Sequence, residues 1–396
     1  MLLLLTTFSR MLSLLQMIPF EFQPRTRVVF GPGVVTRAGQ LARDLGFRRT
    51  LVVADPGIRE AGHTGRVLES LAAAGIEPLL FAAFGINPDS AMVAAGAAFA
   101  APLTVDSIIG LGGGSSLDCA KGINFVLRNG GSIADYRGYG KVTTPLLPMI
   151  GIPTTAGTGS EAQSYAVIAD ASTHMKIACG DPSAAVRLAI LDPELTLSAP
   201  PQVTAMAGYD AIAHAVESAV TAKRTPLSDT FAHQAWRLLC DAFERVMLHP
   251  ADLEARSAMM LGAHFAGMAI EQSMLGAAHA CANPLTARYD IPHGLALALV
   301  LPQVVRWNGA SAKDRYAALL GAPRRRARDE DPAETLARRL EDFALAGHLS
   351  TSLSAAGVDA AAIPELAAQA AQQWTGTFNP RPFDALGAEE IYRAAL

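Results

Sequence analysis

Two short blocks of the sequence carry residue types that can bind a metal ion. In the first, GYDAIAHAVE, Asp210 precedes His214 by four residues, so on a helix both project from one face on successive turns. The second, HACANPLTARYDIPHG, contributes His279 and His293. One carboxylate and three imidazoles suit a borderline divalent metal such as Fe²⁺ or Zn²⁺. A metal with a free coordination position polarises a carbonyl or lowers the pKa of an alcohol. Taken singly, each histidine also fits an ordinary core or surface position.

The segment IIGLGGGSSLDCAKG is predicted to run from a strand through a glycine turn into a helix. Gly112, Gly113 and Gly114 permit positive φ angles and a close approach of the backbone to a ligand. Ser115 and Ser116 suit the helix N-cap, and the amides there, together with the helix dipole, would attract a pyrophosphate. The GxGxxG spacing is missing, and a glycine cluster alone also fits a plain tight turn.

A second segment, GIPTTAGTGSEA, strengthens the prediction of a nucleotide site. It follows a predicted buried strand and is dense in hydroxyls and glycine amides, which commonly surround a phosphate or a ribose. A flexible surface loop is the alternative. Asp55, at the end of another predicted strand, could bind adenosine ribose hydroxyls and would repel a 2′-phosphate, which favours NAD over NADP. As the residue before Pro56, Asp55 fits a simple turn equally well.

Composition limits the class of protein. A chain of 396 residues exceeds the usual size of a single core, so two domains are expected. Hydrophobic content of 51% with 17% charged residues predicts a well-buried globular protein. A net charge of −4, without a basic run that contains aromatics, argues against a nucleic-acid partner. Four widely spaced cysteines without a CxxC pair indicate reduced thiols and a cytoplasmic location.

Residues 1–16, MLLLLTTFSRMLSLLQ, are apolar, but no positive n-region precedes the run and no small-x-small cleavage site follows it. The run is too short to span a bilayer. We interpret it as a tail or an over-extended start rather than a targeting segment, and no later segment is predicted to cross a membrane. The charged stretch RRRARDEDPAE (324–334) is interpreted as a solvated loop and helix start.

Strands and helices alternate in the first half of the chain, which predicts a parallel sheet with helices on both faces. The predicted strands are 26–31, 49–54, 77–83, 107–111, 147–152, 164–169 and 187–191, and the predicted helices are 58–75 and 89–101. Helical periodicity dominates after Asp192-Pro193. We therefore predict an α/β domain over 17–196 and an all-α domain over 197–396.

With these motifs, the chain resembles the iron-containing (group III) alcohol dehydrogenases over nearly all of 17–396. The matching motifs are VVFGPG, GLGGGSSLDCAKG, PTTAGTGSE, LDPELTLSAPP, GYDAIAHAVE, HACANPLTARYDIPHG and NPRP. The resemblance implies a dinucleotide-binding α/β domain followed by an all-helical metal domain, as in the dehydroquinate synthase-like architecture, with the site in the cleft between them. It also implies an NAD(H)-linked enzyme that acts on a small-molecule alcohol or aldehyde.

The resemblance also implies roles for individual residues. The four residues of the two blocks match the metal ligands of the family: Asp210, His214, His279 and His293. A second set matches the contacts to the cofactor: Asp55, Asn87, Gly112, Gly113, Gly114, Ser115, Asp118, Thr154, Thr155, Thr158 and Lys176.

One position departs from the family pattern. Many members carry a further histidine four residues after the ligand that corresponds to His279, and this chain has Asn283 there. Asparagine does not ionise near neutral pH, so a proton would have to travel through water, a ribose hydroxyl or the substrate, unless the substrate is not a simple alcohol.

Two alternatives remain open. One is a cyclase-type lyase similar to dehydroquinate synthase, for which only Lys223 and Arg224 offer cations near the site in sequence. The other is a metal- and nucleotide-binding protein without enzymatic activity. The choice between iron and zinc and the identity of the substrate do not follow from the sequence. Broad apolar faces in the helical half favour a homodimer or a larger homo-oligomer.

Overall fold

The computed structural model describes residues 19–321 and 331–396, so the predictions on 1–16 and on most of the charged stretch lie outside the described residues. The strands are β1 (Arg27–Phe30), β2 (Arg49–Val53), β3 (Glu77–Phe81), β4 (Ser107–Gly112), β5 (Gly138–Tyr139), β6 (Met149–Pro153), β7 (Tyr165–Ala169), β8 (Lys176–Gly180) and β9 (Leu188–Leu191).

The helices of the described residues fall into two groups along the chain. Those of the α/β half are α1 (Ala38–Asp44), α2 (Pro56–Glu60), α3 (His63–Ala73), α4 (Ser90–Ala100) and α5 (Gly114–Asn129). Those of the helical half are α6 (Pro201–Val220), α7 (Pro226–Leu248), α8 (Leu253–Glu271), α9 (Ala277–Tyr289), α10 (His293–Trp307), α11 (Gly309–Leu319), α12 (Pro332–Ala346), α13 (Ile363–Ala371) and α14 (Ala385–Ala394).

Six strands form one parallel sheet in the order β1-β9-β6-β4-β2-β3. The central strand β4 is buried at every residue, because helices cover both faces of a parallel sheet. Successive side chains of β4 therefore enter different cores: Ile109 belongs to the cluster that contains Leu41, and Ile108 to the cluster that contains Phe81. The continuous apolar runs of the sequence reflect this two-sided burial.

A small second sheet, in the order β5-β8-β7, lies outside the parallel sheet. The predicted strand 164–169 is found here as β7, which pairs antiparallel with β8. The sequence pattern does not predict the strand β8, whose residues KIACG begin with a charge and end with a glycine. The register of this hairpin brings Lys176 opposite Ala169.

The single helix predicted over 58–75 is wrong, since two helices, α2 and α3, occupy this stretch. Gly62 separates them with a φ of 81°, a conformation that glycine adopts without the steric cost of a Cβ. The Asp55 carboxylate begins α2 as its N-cap by accepting from the Ile58 amide. The break between α2 and α3 therefore follows from the backbone conformation of Gly62, which the spacing of apolar residues does not predict.

The α/β half leads into the helical half just after β9. Asp192 is fully buried there and accepts the amides of Gly33 and Val35, while its side chain also caps the turn Pro193–Ser198. α6 then opens the helical half at its N-terminal proline, a residue that suits the first helical turn. The architecture is the predicted one, whereas the exact boundary between 196 and 197 stays a prediction. Within the described residues, no helix combines the length and the apolar character that a bilayer span requires.

Candidate functional site

Three helices of the second half bring the predicted metal ligands together. Asp210 and His214 lie on successive turns of α6, His279 lies on α9, and His293 is the first residue of α10. Asp210 Oδ1 is 3.2 Å from the Nε2 atom of His214. The same oxygen is 3.7 Å from Nε2 of His279 and 3.8 Å from Nε2 of His293. One carboxylate oxygen therefore faces three imidazole nitrogens.

The spacing of these atoms fits a shared cation. Among the described residues, Asp210 Oδ1 and His279 Nε2 are buried and have no hydrogen-bond partner, which is costly unless something else satisfies them. Ligand atoms placed tetrahedrally about 2.1 Å from a metal are separated by about 3.4 Å, close to the observed distances. Donor atoms of Asp210, His279 and His293 lie within 4.8 Å of one another, and His214 approaches the same carboxylate. The donor set fits Fe²⁺ or Zn²⁺.

A buried glutamate, to which the sequence analysis gave no role, holds this cluster in place. Glu217 Oε2 is hydrogen-bonded to His279 Nδ1, and its Oε1 accepts the Ala278 amide at 2.7 Å. This arrangement directs Nε2 of His279 toward Asp210, as the carboxylate–histidine pairs behind metal sites do. The signal was present in GYDAIAHAVE, because Glu217 follows Asp210 by seven residues and shares its helix face.

Charge compensation is strong within the cluster. Burial disfavours the ionised form of Asp210, but the surrounding imidazoles outweigh it and keep the pKa of that carboxyl well below its usual value. For His279, burial also disfavours the charged form, yet the carboxylates of Glu217 and Asp210 raise the pKa to about 9. The His279 ring therefore lies between two buried carboxylates, Glu217 at Nδ1 and Asp210 at Nε2, which together favour a positive charge there.

The N-terminus of α5 forms the opposite wall of the same cleft. No side chain of the described residues caps this helix, and Gly114 and Ser115 from its first turn line the cleft. The open amides and the helix dipole make an anion site. The expectation that Ser115 or Ser116 caps the helix is wrong, because Gly113 occupies the N-cap position. Ser116 instead donates to Asp55, and Ser115 accepts the Asn87 amide.

The second predicted loop packs directly on the glycine turn. The Thr154 amide donates to Gly112 O, and a Cβ on Gly114 would come within 2.4 Å of Thr158 Cγ2. Thr155 lies similarly close to Gly113, where a Cβ would be 3.3 Å from its hydroxyl. The glycine turn and the threonine-rich loop, which are separate motifs in the sequence, therefore form one surface.

Buried charges support this surface from behind. Asp118 Oδ1 accepts from the Ser160 hydroxyl at 2.7 Å, and burial raises the pKa of the carboxyl while Lys121 opposes the rise. Lys121 is fully buried and donates to the carbonyls of Ser160, Gln163 and Tyr165. Lys121 was not predicted as a site residue. It ties α5 to the loop that carries Thr158.

Of the remaining residues of the predicted cofactor set, Asn87 and Lys176 line the cleft and Asp55 does not. Lys176 Nζ is 3.5 Å from Asn87 Oδ1, and both residues line the cleft. Burial lowers the pKa of the Lys176 ammonium, although the carboxylates of Asp118 and Asp210 oppose the fall. Asp55 lies behind the glycine turn, with Oδ2 accepting from Ser116. Its predicted contact with a ribose stays a prediction.

Asn283 lies on the cleft wall beyond the metal cluster. It is one helical turn after His279 on α9, and its Nδ2 donates to Gln373 Oε1 at 3.1 Å. Gln373 and the turn Trp374–Phe378, which the sequence analysis did not associate with the site, complete this wall. Leu275 lines the cleft as well. The cleft is thus lined by the first turn of α5, by the four predicted ligands, and by Asn283 together with Gln373 and Thr375.

Comparison with known families covers almost the whole chain. Residues 24–193 match the family model "Iron-containing alcohol dehydrogenase". Residues 204–396 match the model "Fe-containing alcohol dehydrogenase family, C-terminal".

Individual relatives agree with these matches. A 1,3-propanediol dehydrogenase of Citrobacter freundii is 32% identical over 93% of this chain and 96% of its own length. An NAD-dependent methanol dehydrogenase of Bacillus methanolicus is 34% identical over 73% of this chain and 76% of its own. The crystal structure of a 1,3-propanediol oxidoreductase superposes with a TM-score of 0.91 at 31% identity, covering 96% of this chain and all of that one (100%).

Proposed function

Because this chain belongs to the iron-containing alcohol dehydrogenase family, we propose that it is a metal-dependent, NAD(H)-linked dehydrogenase that interconverts a small alcohol and its aldehyde or ketone. The observation that carries the proposal is one cleft with two complementary walls. Asp210 faces three imidazole nitrogens on one wall, and the uncapped N-terminus of α5 lies on the other. Hydride transfer needs a nucleotide and an activated substrate oxygen next to each other.

The residues that would hold the metal are Asp210, His214, His279 and His293. When bound, the divalent ion supplies Lewis acidity toward the substrate oxygen and NAD accepts or donates the hydride. Glu217 orients His279, and among the described residues the buried Oδ1 atom of Asp210 has no hydrogen-bond partner that would compete with the ion.

For the cofactor, we assign the pyrophosphate to the amides of Gly114 and Ser115 at the start of α5. Thr158 and Lys176 line the same cleft and offer a hydroxyl and an ammonium to the ribose and phosphate groups. Asp55 supports NAD rather than NADP, since its carboxylate behind the glycine turn would repel a 2′-phosphate.

Proton transfer does not pass through Asn283, because a side-chain amide does not ionise near neutral pH and cannot act as an acid or a base there. We assign the relay to water, a ribose hydroxyl or the substrate itself. Asn283 then acts as a hydrogen-bonding residue that is held by Gln373.

The two alternatives have less support. A cyclase-type lyase needs several cations for a phosphate, and in the described part of the chain the only Lys or Arg on the cleft wall is Lys176. Lys223 instead lies over the Phe378 ring, 5.6 Å from its centroid. Membership of a family whose named relatives are dehydrogenases argues against a protein without enzymatic activity.

The direct test combines metal analysis of anaerobically purified protein with NADH oxidation against a panel of short aldehydes. We expect about one Fe or Zn ion per chain and turnover that chelation abolishes and metal restores. Stoichiometric metal without turnover of any aldehyde, with either NADH or NADPH, would refute the proposal.

We also retain two broader expectations. All four cysteines are free thiols, which supports a reducing, cytoplasmic environment. A homodimer or larger homo-oligomer is proposed as well, and the sheet edge at β1, with the exposed side chains of Val28 and Phe30, supports it.

A further inference from the structure

The NPRP motif (379–382) does not line the cleft, yet it packs against the helices that carry the predicted metal ligands. Phe378, the residue before the motif, contacts the end of α6, the helix with two of these ligands. The carbonyl of Phe378 accepts from the Ala222 amide at 2.7 Å and from the Thr221 hydroxyl at 3.0 Å, directly after the last residue of α6. The chain at the start of the motif is therefore bonded to α6.

The start of α9 is held by two side chains from other elements. The residue before α9 is a glycine, which has no side chain to accept the first amides of the helix. Asn379 Oδ1 accepts the Ala277 amide at 3.2 Å instead. Glu217 Oε1 accepts the Ala278 amide at 2.7 Å. The next residue is His279, so both contacts lie beside a predicted metal ligand.

Asn379 also joins α9 to α10, the helix that begins with the fourth ligand. The side-chain amides of Asn379 and Asn308 exchange two hydrogen bonds of 2.8 and 3.0 Å, and Asn308 directly follows α10. Arg381 donates to the carbonyl of Trp307, the last residue of α10, at 2.9 Å, and its guanidinium lies over the Trp307 ring. The segment 378–381 is therefore bonded to α6, α9 and α10 together.

We propose that Asn379 is a positioning residue of the metal site, which fixes His279 relative to the ligands on the other two helices by joining the start of α9 to the end of α10. The inference rests on the proposed metal-dependent function and extends it to a residue outside the cleft. Bonds from a protein to a metal tolerate deviations of only about 0.2 Å, so a small shift of α9 would weaken metal binding.

The side chain of Asn379 is suited to this role because both ends of its amide are used. Oδ1 accepts from Ala277 and Asn308, while Nδ2 donates to Asn308 Oδ1 and to the carbonyl of Arg381 at 2.8 Å. Asn379 is 7% exposed, so water does not readily replace these bonds. A carboxylate could not donate, and an aliphatic side chain would leave the Ala277 amide unpaired.

The backbone of the motif restricts the position of this amide. Asn379 has a φ of −62° and a ψ of 144°, the extended conformation that a residue before proline favours. The prolines on both sides of Arg381 have a fixed φ and reduce the freedom of the segment further. The motif therefore presents the Asn379 amide to α9 and α10 from a backbone with few alternative conformations.

The test measures metal affinity rather than turnover. Protein freed of metal by chelation is titrated with Co²⁺ or Zn²⁺ in competition with a chelator, and the visible spectrum of the Co²⁺ form reports the geometry of its ligands. We expect Asn379→Ala to weaken binding of both ions by about ten- to a hundredfold, as loss of a group behind a ligand does. Its Co²⁺ spectrum should differ from that of the wild type at temperatures well below unfolding.

Asn124→Ala is the matched control, because Asn124 is a buried asparagine far from the metal ligands in the fold of the α/β half. It is fully buried in α5, and its amide exchanges two hydrogen bonds of 2.9 Å with the backbone of Leu147. Asn124→Ala should lower the melting temperature as Asn379→Ala does. Its metal affinity and Co²⁺ spectrum should remain those of the wild type.

A double-mutant cycle separates positioning from general stability. Asn379→Ala and Glu217→Gln should be non-additive in their effects on Co²⁺ affinity, because both groups hold the start of α9, whereas Asn124→Ala and Glu217→Gln should be additive. Additive effects in both pairs would contradict the shared action on α9.

The outcomes distinguish this inference from the proposed function. A folded Asn379→Ala variant with wild-type affinity and spectrum would overturn the role of Asn379 and leave the dehydrogenase proposal intact. A wild type that binds neither ion would refute both. If Asn379→Ala does not fold, Arg381→Met, which removes the bond to α10 from a partly exposed side chain, decides by the same readouts. Weaker binding with an altered spectrum would support the inference, and wild-type values would overturn it.

Discussion

At the scale of single residues, the candidate metal site depends on atoms that have no other function in the fold. His279 Nε2 points to Asp210 and makes no hydrogen bond within the described residues. We expect His279→Ala to remove a ligand, to lower metal affinity by more than about a hundredfold, and to abolish turnover. Metal content after dialysis and the rate of NADH formation measure both effects. His249→Ala, on an exposed histidine, is the control, and full activity with retained metal in His279→Ala would contradict the ligand assignment.

Glu217 allows a second test of the metal site, because it contacts the predicted ligand His279 and not the proposed metal itself. Glu217→Gln keeps the size and an acceptor for the Ala278 amide but removes the negative charge behind His279. We expect metal affinity to fall by about ten- to a hundredfold with the fold retained, as is typical of such supporting carboxylates. Competition with a chelator measures the affinity, and circular dichroism reports the fold. Unchanged affinity would show that Glu217 has only a structural role.

Residues close in sequence were more predictable than residues brought together by folding. The spacing of Asp210 and His214 on one helix face was readable, and Glu217 lay in the same block. By contrast, Gln373 meets Asn283 across 90 positions of sequence. No local pattern encodes that contact, because the packing of the Trp374–Phe378 turn against α9 creates it.

At the scale of elements, the start of α5 depends on the absence of a side chain at Gly114. A Cβ there would lie 2.4 Å from Thr158 Cγ2, and Thr158 Oγ1 is held by the Ser160 amide. We expect Gly114→Val to displace the loop from the helix N-terminus and to weaken NADH binding about tenfold or more, as overpacking commonly costs about 1–3 kcal/mol. A fluorescence titration with NADH measures the effect.

Gly65→Val provides the matched control for this substitution. Gly65 lies in α3, and a Cβ there would meet no atom within 4 Å. NADH affinity should therefore remain at the wild-type value. If both variants bind NADH equally well, the start of α5 is not the cofactor site.

Most strands and helices were predictable, because the type of each element depends on the local order of apolar and polar residues. Buried runs such as SIIGL are typical of parallel strands, and the structure contains β4 there. The strand order β1-β9-β6-β4-β2-β3 was not readable, since it places β1 next to β9, more than 150 residues later, through a crossover that sequence periodicity does not describe. The split between α2 and α3 was missed because one glycine with positive φ outweighs the apolar pattern.

At the scale of the whole molecule, the site exists because the two halves approach very closely. Gly159, at the end of the threonine-rich loop, lies against Gly267 of α8, where a Cβ on Gly267 would be 2.6 Å from Gly159 O. Next to this contact, Glu161 and His264 form a buried pair at 3.0 Å. These contacts hold the loop of Thr158 against α8, so the residues predicted for the cofactor and those predicted for the metal line one cleft.

The outer edge of the parallel sheet supports self-association. β1 pairs only with β9 among the described residues, and Val28 and Phe30 on it are 39% and 40% exposed. An edge strand with exposed apolar side chains is a ready surface for pairing with another chain. Phe20 and Phe22, just before β1, add exposed apolar area. A second copy of this chain, paired along β1, would cover this surface and continue the sheet.

We therefore expect Val28→Lys to shift the protein toward the monomer, because a charge on the paired edge opposes strand addition between chains. Light scattering coupled to size-exclusion chromatography measures the mass at several concentrations. Val203→Lys, at 37% exposure on α6, introduces the same charge at a valine of similar exposure and should leave the mass unchanged. A wild type that runs as a monomer would refute the oligomer. An oligomer that Val28→Lys does not weaken would place its interface on another surface, where the apolar helical faces are the next candidates.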